Sequence, residues 1–379
     1  MMKKGESMTT VMYEVLAAVA AAINNEQPTE LSEDGLKEAE QQTVLSLVCN
    51  NSSALSYIAA NTRIMWEQQQ LSNVLSDIPY LVLKGSSAAT YYPVPIRRAM
   101  GDIDIIVAPG YFENAYKLLI NTGYYITEQD SRHVHFKKNN ITIELHRKFA
   151  TLNTQKQEEL LDSWLFSASP VIGNIEHYTF PMPPDDLNGL VILTHINQHL
   201  EEGLGLRHIV DWIMYVKHSL PDEKWPAFME KANQLGLTRL AKITTRLGQK
   251  YLYVNNNLSW CLDVNENTVD KYMEYIFEYG NFGQKDLDNN TMVKVMSHGQ
   301  GIIGFFRNLQ SRGIKNWNAA RKYPFLEPFS WIYQLFRYVN KGVQSGGIIS
   351  LCHNIKSSSD RSELLKELGA TRYVLKNRQ

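Results

Sequence analysis

The feature that most constrains this chain is a change of period at Ile78-Pro79. Before it, Val44, Leu45, Leu47, Val48, Leu55 and Ile58 recur at spacings that suit one buried helical face, so residues 8–75 read as helical, with a connector at Pro28. After it the apolar runs become too short for helices. Tyr80–Leu83 stops at Lys84-Gly85-Ser86-Ser87, and Ile103–Val107 stops at Pro109-Gly110. Three more short runs, 124–127, 133–137 and 141–146, read as strands, the last two joined by a hairpin turn at Asn139-Asn140. A small-residue helix over 87–92 and an amphipathic helix over 111–121, closed by Gly123, lie between them.

Beyond residue 155 the pattern is mostly helical again. Asp185-Asp186 open a helix through His199, and 206–218 form another before Pro221. Asp360 and Glu363 form a capping pair for a last helix ending near Gly369. Trp331, Ile332, Leu335, Phe336 and Val339 follow helical spacing and read as core or as a surface for a partner helix. The expected fold is α+β: a small mixed sheet at 78–150, a helical segment at 1–77 before it, a helical unit at 151–283 completing a cleft, and a helical region at 284–379.

Bulk properties narrow the function classes. With 379 residues, 44% hydrophobic and 20% charged, the chain can bury a sizeable core in two or three units. A formal net charge of -1, from 38 basic and 39 acidic residues, gives no case for wholesale nucleic-acid binding. Cys49, Cys261 and Cys352 are odd in number and in no ligand-like spacing, which fits a reducing compartment. No run approaches the roughly 18 apolar residues of a membrane span. Lys3 and Lys4 precede the apolar stretch 15–23 in the manner of a signal peptide, but Tyr13 and Glu14 interrupt the approach and an ordinary packing helix is expected. The expected location is cytoplasmic, with no membrane partner; oligomeric state stays open.

The chemistry gathers on the sheet. Side chains alternate along a strand, so Asp102 and Asp104 project to one side and Ile103, Ile105 and Val107 to the other. Paired carboxylates beside an apolar run repel each other and lose solvation, a cost that a divalent cation offsets. Glu144 and His146 share a face of the strand 141–146, so a neighbouring position would supply a third acid. A glycine between strand and helix, at Gly85-Ser86, lets backbone N–H groups approach a phosphate, and Lys84 and Arg98 offer positive charge. Each piece alone is commonplace: Asp-x-Asp is frequent on solvated surfaces, and Lys-Gly-Ser after a strand is ordinarily a turn. Their order along the chain is what carries weight.

That order resembles the polymerase-β-like nucleotidyltransferase superfamily. More narrowly, Leu83-Lys84-Gly85, Tyr92-Pro93, Arg98, Gly101-Asp102-Ile103-Asp104 and Ile143-Glu144-Leu145-His146 resemble a bacterial family of uncharacterised nucleotidyltransferases. The resemblance implies Asp102, Asp104 and Glu144 as metal ligands and catalytic acids, Gly85 and Ser86 at the nucleotide phosphates, and Lys84 and Arg98 as motif residues beside them. It implies two Mg²⁺ ions, with Mn²⁺ an alternative, and an NTP such as ATP as substrate. The activity would be transfer of an NMP to a hydroxyl acceptor, a small molecule or a protein, with release of pyrophosphate. The rival from another class is a non-catalytic nucleotide-binding or protein-interaction module on the same fold. One departure stands out: 15 residues separate Ser86 from Asp102, enough for an extra loop around Pro93 and Pro95.

Three further groups invite attention. His195 and His199 lie four apart on a helix and could bind a metal, but no third ligand is evident and a hydrogen-bonding role is expected. Arg207 and Asp211 share the same spacing and either pair or reach the cleft. His133 and His135 share a strand face with each other and potentially with Glu144, which makes His135 a candidate for contacting substrate.

Overall fold

A computed structural model describes residues 9–200, 203–254 and 258–281, scattered positions from 310 to 336, residue 361 and residues 363–370. Asp360, Leu335, Val339 and Cys352 lie outside the described residues.

The N-terminal portion is helical: α1 (Thr10–Ile23), α2 (Glu33–Gln41), α3 (Leu45–Val48) and α4 (Ser52–Val74). Thr9 and Met12 close a reciprocal cap on α1, whose Val15, Leu16, Ala18, Val19 and Ile23 are buried. The apolar stretch behind Lys3-Lys4 is therefore a packed helix. Asn51 caps α4 by accepting from the Ala54 N–H at 2.8 Å.

Next comes the sheet, in the order β1 (Tyr80–Leu83), β2 (Ile103–Val107), β5 (Ile141–His146), β4 (His133–Lys138), β3 (Tyr125–Gln129). Its bounds match the expected runs closely, and β2 and β5 run parallel while the other neighbours are antiparallel. Parity divides it into two chemistries. Ile103, Ile105, Val107, Ile143, Leu145, Val134 and Phe136 are all buried, and α6 (Phe112–Asn121) offers Phe112, Ala115 and Leu119 as a buried face nearby. Tyr116 of α6 meets Phe136 edge-on at 5.6 Å between ring centres. The opposite parity carries the acids and histidines.

Between β1 and β2, α5 (Gly85–Ala89) starts two residues earlier than the expected 87–92, because Lys84 turns the chain at φ 53 and its carbonyl accepts from the Ala88 N–H. After the sheet come α7 (Gln155–Ser167), α8 (Asp185–His199), α9 (Leu206–His218), α10 (Trp225–Gln234), α11 (Thr238–Tyr251) and α12 (Glu266–Tyr279). α9 packs on α8 and α11. A side chain at Gly189 would come within 2.2 Å of the Tyr215 ring, so glycine is what lets that ring lie against α8.

The region beyond 155 is not purely helical. β6 (Val171–Ile175) and β7 (Tyr178–Met182) form a two-stranded hairpin between α7 and α8, and β7 lies against β1 and α4. It covers the β1 side of the main sheet, where unpaired backbone would otherwise be open. One buried apolar cluster joins everything from Met12 to Ala370. Among the described residues no helix is long and apolar enough to cross a membrane.

Candidate active site

The register fixes the site. Asp104 on β2 stands opposite Glu144 on β5, which stands opposite His135 on β4; one step on, His146 faces His133. Because β2 and β5 are parallel neighbours, the two acids fall side by side, and ligand atoms of Asp104, Glu144 and His146 lie within 4.8 Å of one another. Glu144 Oε2 is 3.4 Å and Asp104 Oδ1 2.9 Å from the same His146 Nε2. His135 Nε2 sits 3.7 Å from Glu144 Oε1, longer than a hydrogen bond. Asp102, at the exposed rim just before β2, is outside that tight group.

Electrostatics separates the acids. Burial works to raise the Asp104 carboxyl, but the Lys84 ammonium at 2.7 Å and the His146 hydrogen bond outweigh it and hold the group well below the usual carboxylate range. Asp102 moves the opposite way, pushed up by burial and then by the negative charges of Glu144 and Asp104, with a Thr142 hydrogen bond working against them. Burial lowers His146, yet its bonds to Asp104 and Glu144 prevail and raise it above an ordinary imidazole.

Lys84 reaches Asp104 from a backbone conformation, φ 53 and ψ −134, that non-glycine residues seldom adopt. Its ammonium also lies 5.6 Å from the centre of the Phe149 ring. The other expected phosphate-side residues are placed differently from one another. Gly85 packs close to the Asp102 carbonyl, 3.8 Å from where a side chain would begin, so that turn does border the acids. Ser86 is buried, its hydroxyl donating to Gln68 Oε1 of α4 at 2.8 Å, which turns it away from the sheet's acids. Arg98 is buried as well, donating twice to Asp211 of α9, at 2.8 and 2.5 Å. Tyr92 donates to the same carboxylate at 2.7 Å. Asp211 thus pairs across the molecule with Arg98, while Arg207 donates to the Ala99 carbonyl at 2.9 Å. Burial and the charge of Arg98 push the Arg207 guanidinium down to about 10.

The extra length between Ser86 and Asp102 is ordered. Asn61 of α4 donates to the carbonyls of Ile96 and Arg98 at 2.7 and 2.9 Å and accepts from the Met100 N–H at 2.9 Å. Ser46 of α3 holds the Arg97 carbonyl at 2.7 Å.

His195 and His199 meet a third imidazole, His208 of α9, which was not among the sequence-level candidates. Its signal was invisible there because the partner comes from another helix; no spacing rule joins positions on two helices separated by a Gly-containing turn.

The mixed sheet thus bears two acids on adjacent parallel strands, a third at the rim and a lysine-glycine turn beside them. Residues 29–252 match a family model described as "Uncharacterised nucleotidyltransferase", more than half of the 379 residues, and the chain belongs to that family. Among solved structures, an antigenic nucleotidyltransferase-like protein from Paracoccidioides brasiliensis is similar at 12% identity and a TM-score of 0.35, over 55% of this chain and 98% of that one. No curated protein matches the sequence.

Proposed function

We propose that this chain transfers an NMP from an NTP to a hydroxyl acceptor, on a small molecule or a protein, with release of pyrophosphate. The observation that carries this reading is the pairing of Asp104 with Glu144 on adjacent parallel strands, with Asp102 coupled electrostatically to both. Membership of the family supports the reaction class.

The donor set fits a hard divalent cation. Asp102 is pushed up by burial and by the charges of Glu144 and Asp104, a repulsion that a cation between them relieves. Carboxylate oxygens are the ligands Mg²⁺ or Mn²⁺ prefer, so Asp102, Asp104 and Glu144 would hold the ions. Bound there, the metal would neutralise charge on the phosphates and on the leaving pyrophosphate.

The chain's own groups do the rest. Lys84, hinged on its strained backbone, supplies an ammonium that can pass from Asp104 to a phosphate oxygen while Asp104 turns to other work. Glu144, flanked by the ring nitrogens of His135 and His146, would take the hydroxyl proton of the acceptor. The oxygen so exposed bonds to the α-phosphorus as the bond from that phosphorus to the bridging oxygen breaks, and the electron pair leaves with pyrophosphate. Arg98 contributes at one remove by fixing the loop before Asp102.

The test is incubation with each labelled NTP in Mg²⁺ or Mn²⁺, comparing the wild type with an Asp102→Ala/Asp104→Ala variant. Metal-dependent pyrophosphate release that disappears in the variant is the expected result. Nucleotide binding without turnover under every metal and acceptor tried would favour a binding module instead.

A further inference from the structure

His195 and His199, one turn apart on α8, and His208 on α9 bring ligand nitrogens within 4.8 Å of one another. The ring centres stand 4.7, 4.9 and 5.4 Å apart, with planes inclined at 86°, 55° and 43°. Three imidazoles radiating from one tetrahedral ion, at metal–nitrogen distances of ~2.0–2.1 Å, would have ring centres roughly 5 Å apart. All three separations fall around that value, with the ligand nitrogens themselves within 4.8 Å of one another.

We infer that His195, His199 and His208 form a binding site for one transition-metal ion of the Zn²⁺ class, separate from the carboxylate site on the sheet. Three imidazoles without a thiolate or carboxylate suit zinc rather than the hard cations of the acid cluster, and a three-ligand set leaves a coordination position for water or an anionic oxygen.

The surroundings agree with the ligand role. His208 Nδ1 lies 3.3 Å from the Gly205 carbonyl, a bond in which that nitrogen donates and presents the Nε2 lone pair, as metal-bound histidines commonly do. His199 and His208 are buried, and His195 is half-buried. Burial, then the nearby Lys84 ammonium, lowers the His195 imidazole well below its ordinary range, and burial, then the Arg207 guanidinium, lowers that of His208. A neutral ring is the form that binds metal, since a proton competes for the same lone pair. The two cations nearby are themselves offset, Lys84 by Asp104 at 2.7 Å and Arg207 by the charge of Asp211.

The site does not depend on nucleotidyl transfer, and its test reads metal rather than turnover. Metal-stripped full-length protein is titrated with Zn²⁺, and with Co²⁺ to follow the visible absorption bands of tetrahedral nitrogen coordination. The expected result is one tight equivalent held by the histidines, beyond any at the carboxylates, weakened by roughly 100-fold or more in His195→Ala and in His208→Ala. An Asp102→Ala protein, which leaves the Lys84–Asp104 pair in place, retains it. His195 is the less buried of the two, so His195→Ala also serves if His208→Ala fails to fold, with circular dichroism confirming the fold. Absence of stoichiometric Zn²⁺ and Co²⁺ binding would overturn the inference, as would binding unchanged in folded His195→Ala or lost equally in Asp102→Ala.

Discussion

Asp104 Oδ1 receives Lys84 at 2.7 Å and His146 at 2.9 Å, both largely out of water. Asp104→Asn keeps the size of the side chain and removes the charge that makes both contacts favourable. Lys84 is then left as a shielded ammonium beside a neutral amide, which should destabilise the fold by roughly 1–3 kcal/mol, read from denaturant midpoints at neutral pH. His146 offers a second readout. Its raised value depends on Asp104 and Glu144, whereas burial lowers it. In Asp104→Asn the imidazole should therefore titrate at lower pH than in the wild type, a shift that NMR of the ring protons measures directly. An unshifted titration would show that Asp104 does not govern the proton on His146. At this scale the shared face of Asp104 with its strand neighbours was legible in advance, because strand parity is a local property; Asp102, just before β2, lies outside the strand and outside the group of Asp104, Glu144 and His146. Partners were not legible. Nothing local joins Lys84 to Asp104 across β1 and β2, and nothing in the Lys-Gly-Ser run separates a Ser86 facing α4 from one facing a phosphate.

At the scale of elements, the strands of the main sheet were readable because each is a compact apolar run bounded by Gly, Pro or Asn, while β6 and β7 were not. Their alternation is blurred by Gly173, Asn174 and Pro181, and Ile172 is left 64% exposed, so neither a buried run nor a clean period of two survives. The long loop before β2 was anticipated, but its anchoring was not. Asn61 makes three hydrogen bonds to that loop's backbone from a buried position on α4. Asn61→Leu strands two carbonyls and an N–H, and a loss of about 2–4 kcal/mol in chemical denaturation is expected. Because the loop leads into Asp102, that variant should also lower turnover in the assay proposed above. A separate expectation concerns the ion network between α11 and α12. Burial works to raise Glu266 and Asp270, but Lys250 and Tyr251 on Asp270, and Arg246 and Lys250 on Glu266, bring both below their ordinary values. Groups depressed in the folded state contribute stability above their unfolded pKa, and that contribution is lost as pH falls through the folded one. The melting-temperature gap between wild type and Asp270→Asn should thus be present at neutral pH and close in acid.

Across the whole molecule, the helices after the sheet are tied to it by Arg98 and Asp211, which belong to the loop before β2 and to α9. Both side chains are almost fully buried, and Tyr92 completes the carboxylate's hydrogen bonding. Buried pairs of this kind contribute little beyond an apolar replacement of similar volume, but breaking one side is severe. The consequence is sharper here because Arg207 lies close enough for Arg98 to depress it, so Asp211 is the counter-charge for two buried guanidiniums. Asp211→Ala should therefore destabilise the protein by about 3–5 kcal/mol, whereas Arg98→Met/Asp211→Leu, which removes the pair together, should recover a substantial part of that loss. Since α9 also carries His208, and the arginine loop leads to Asp102, the single variant is expected to disturb both proposed metal sites at once. The double variant distinguishes the two roles of the pair: stability regained without restored turnover means that the pair orients the catalytic loop, and stability regained with turnover means that it only holds α9 against the sheet.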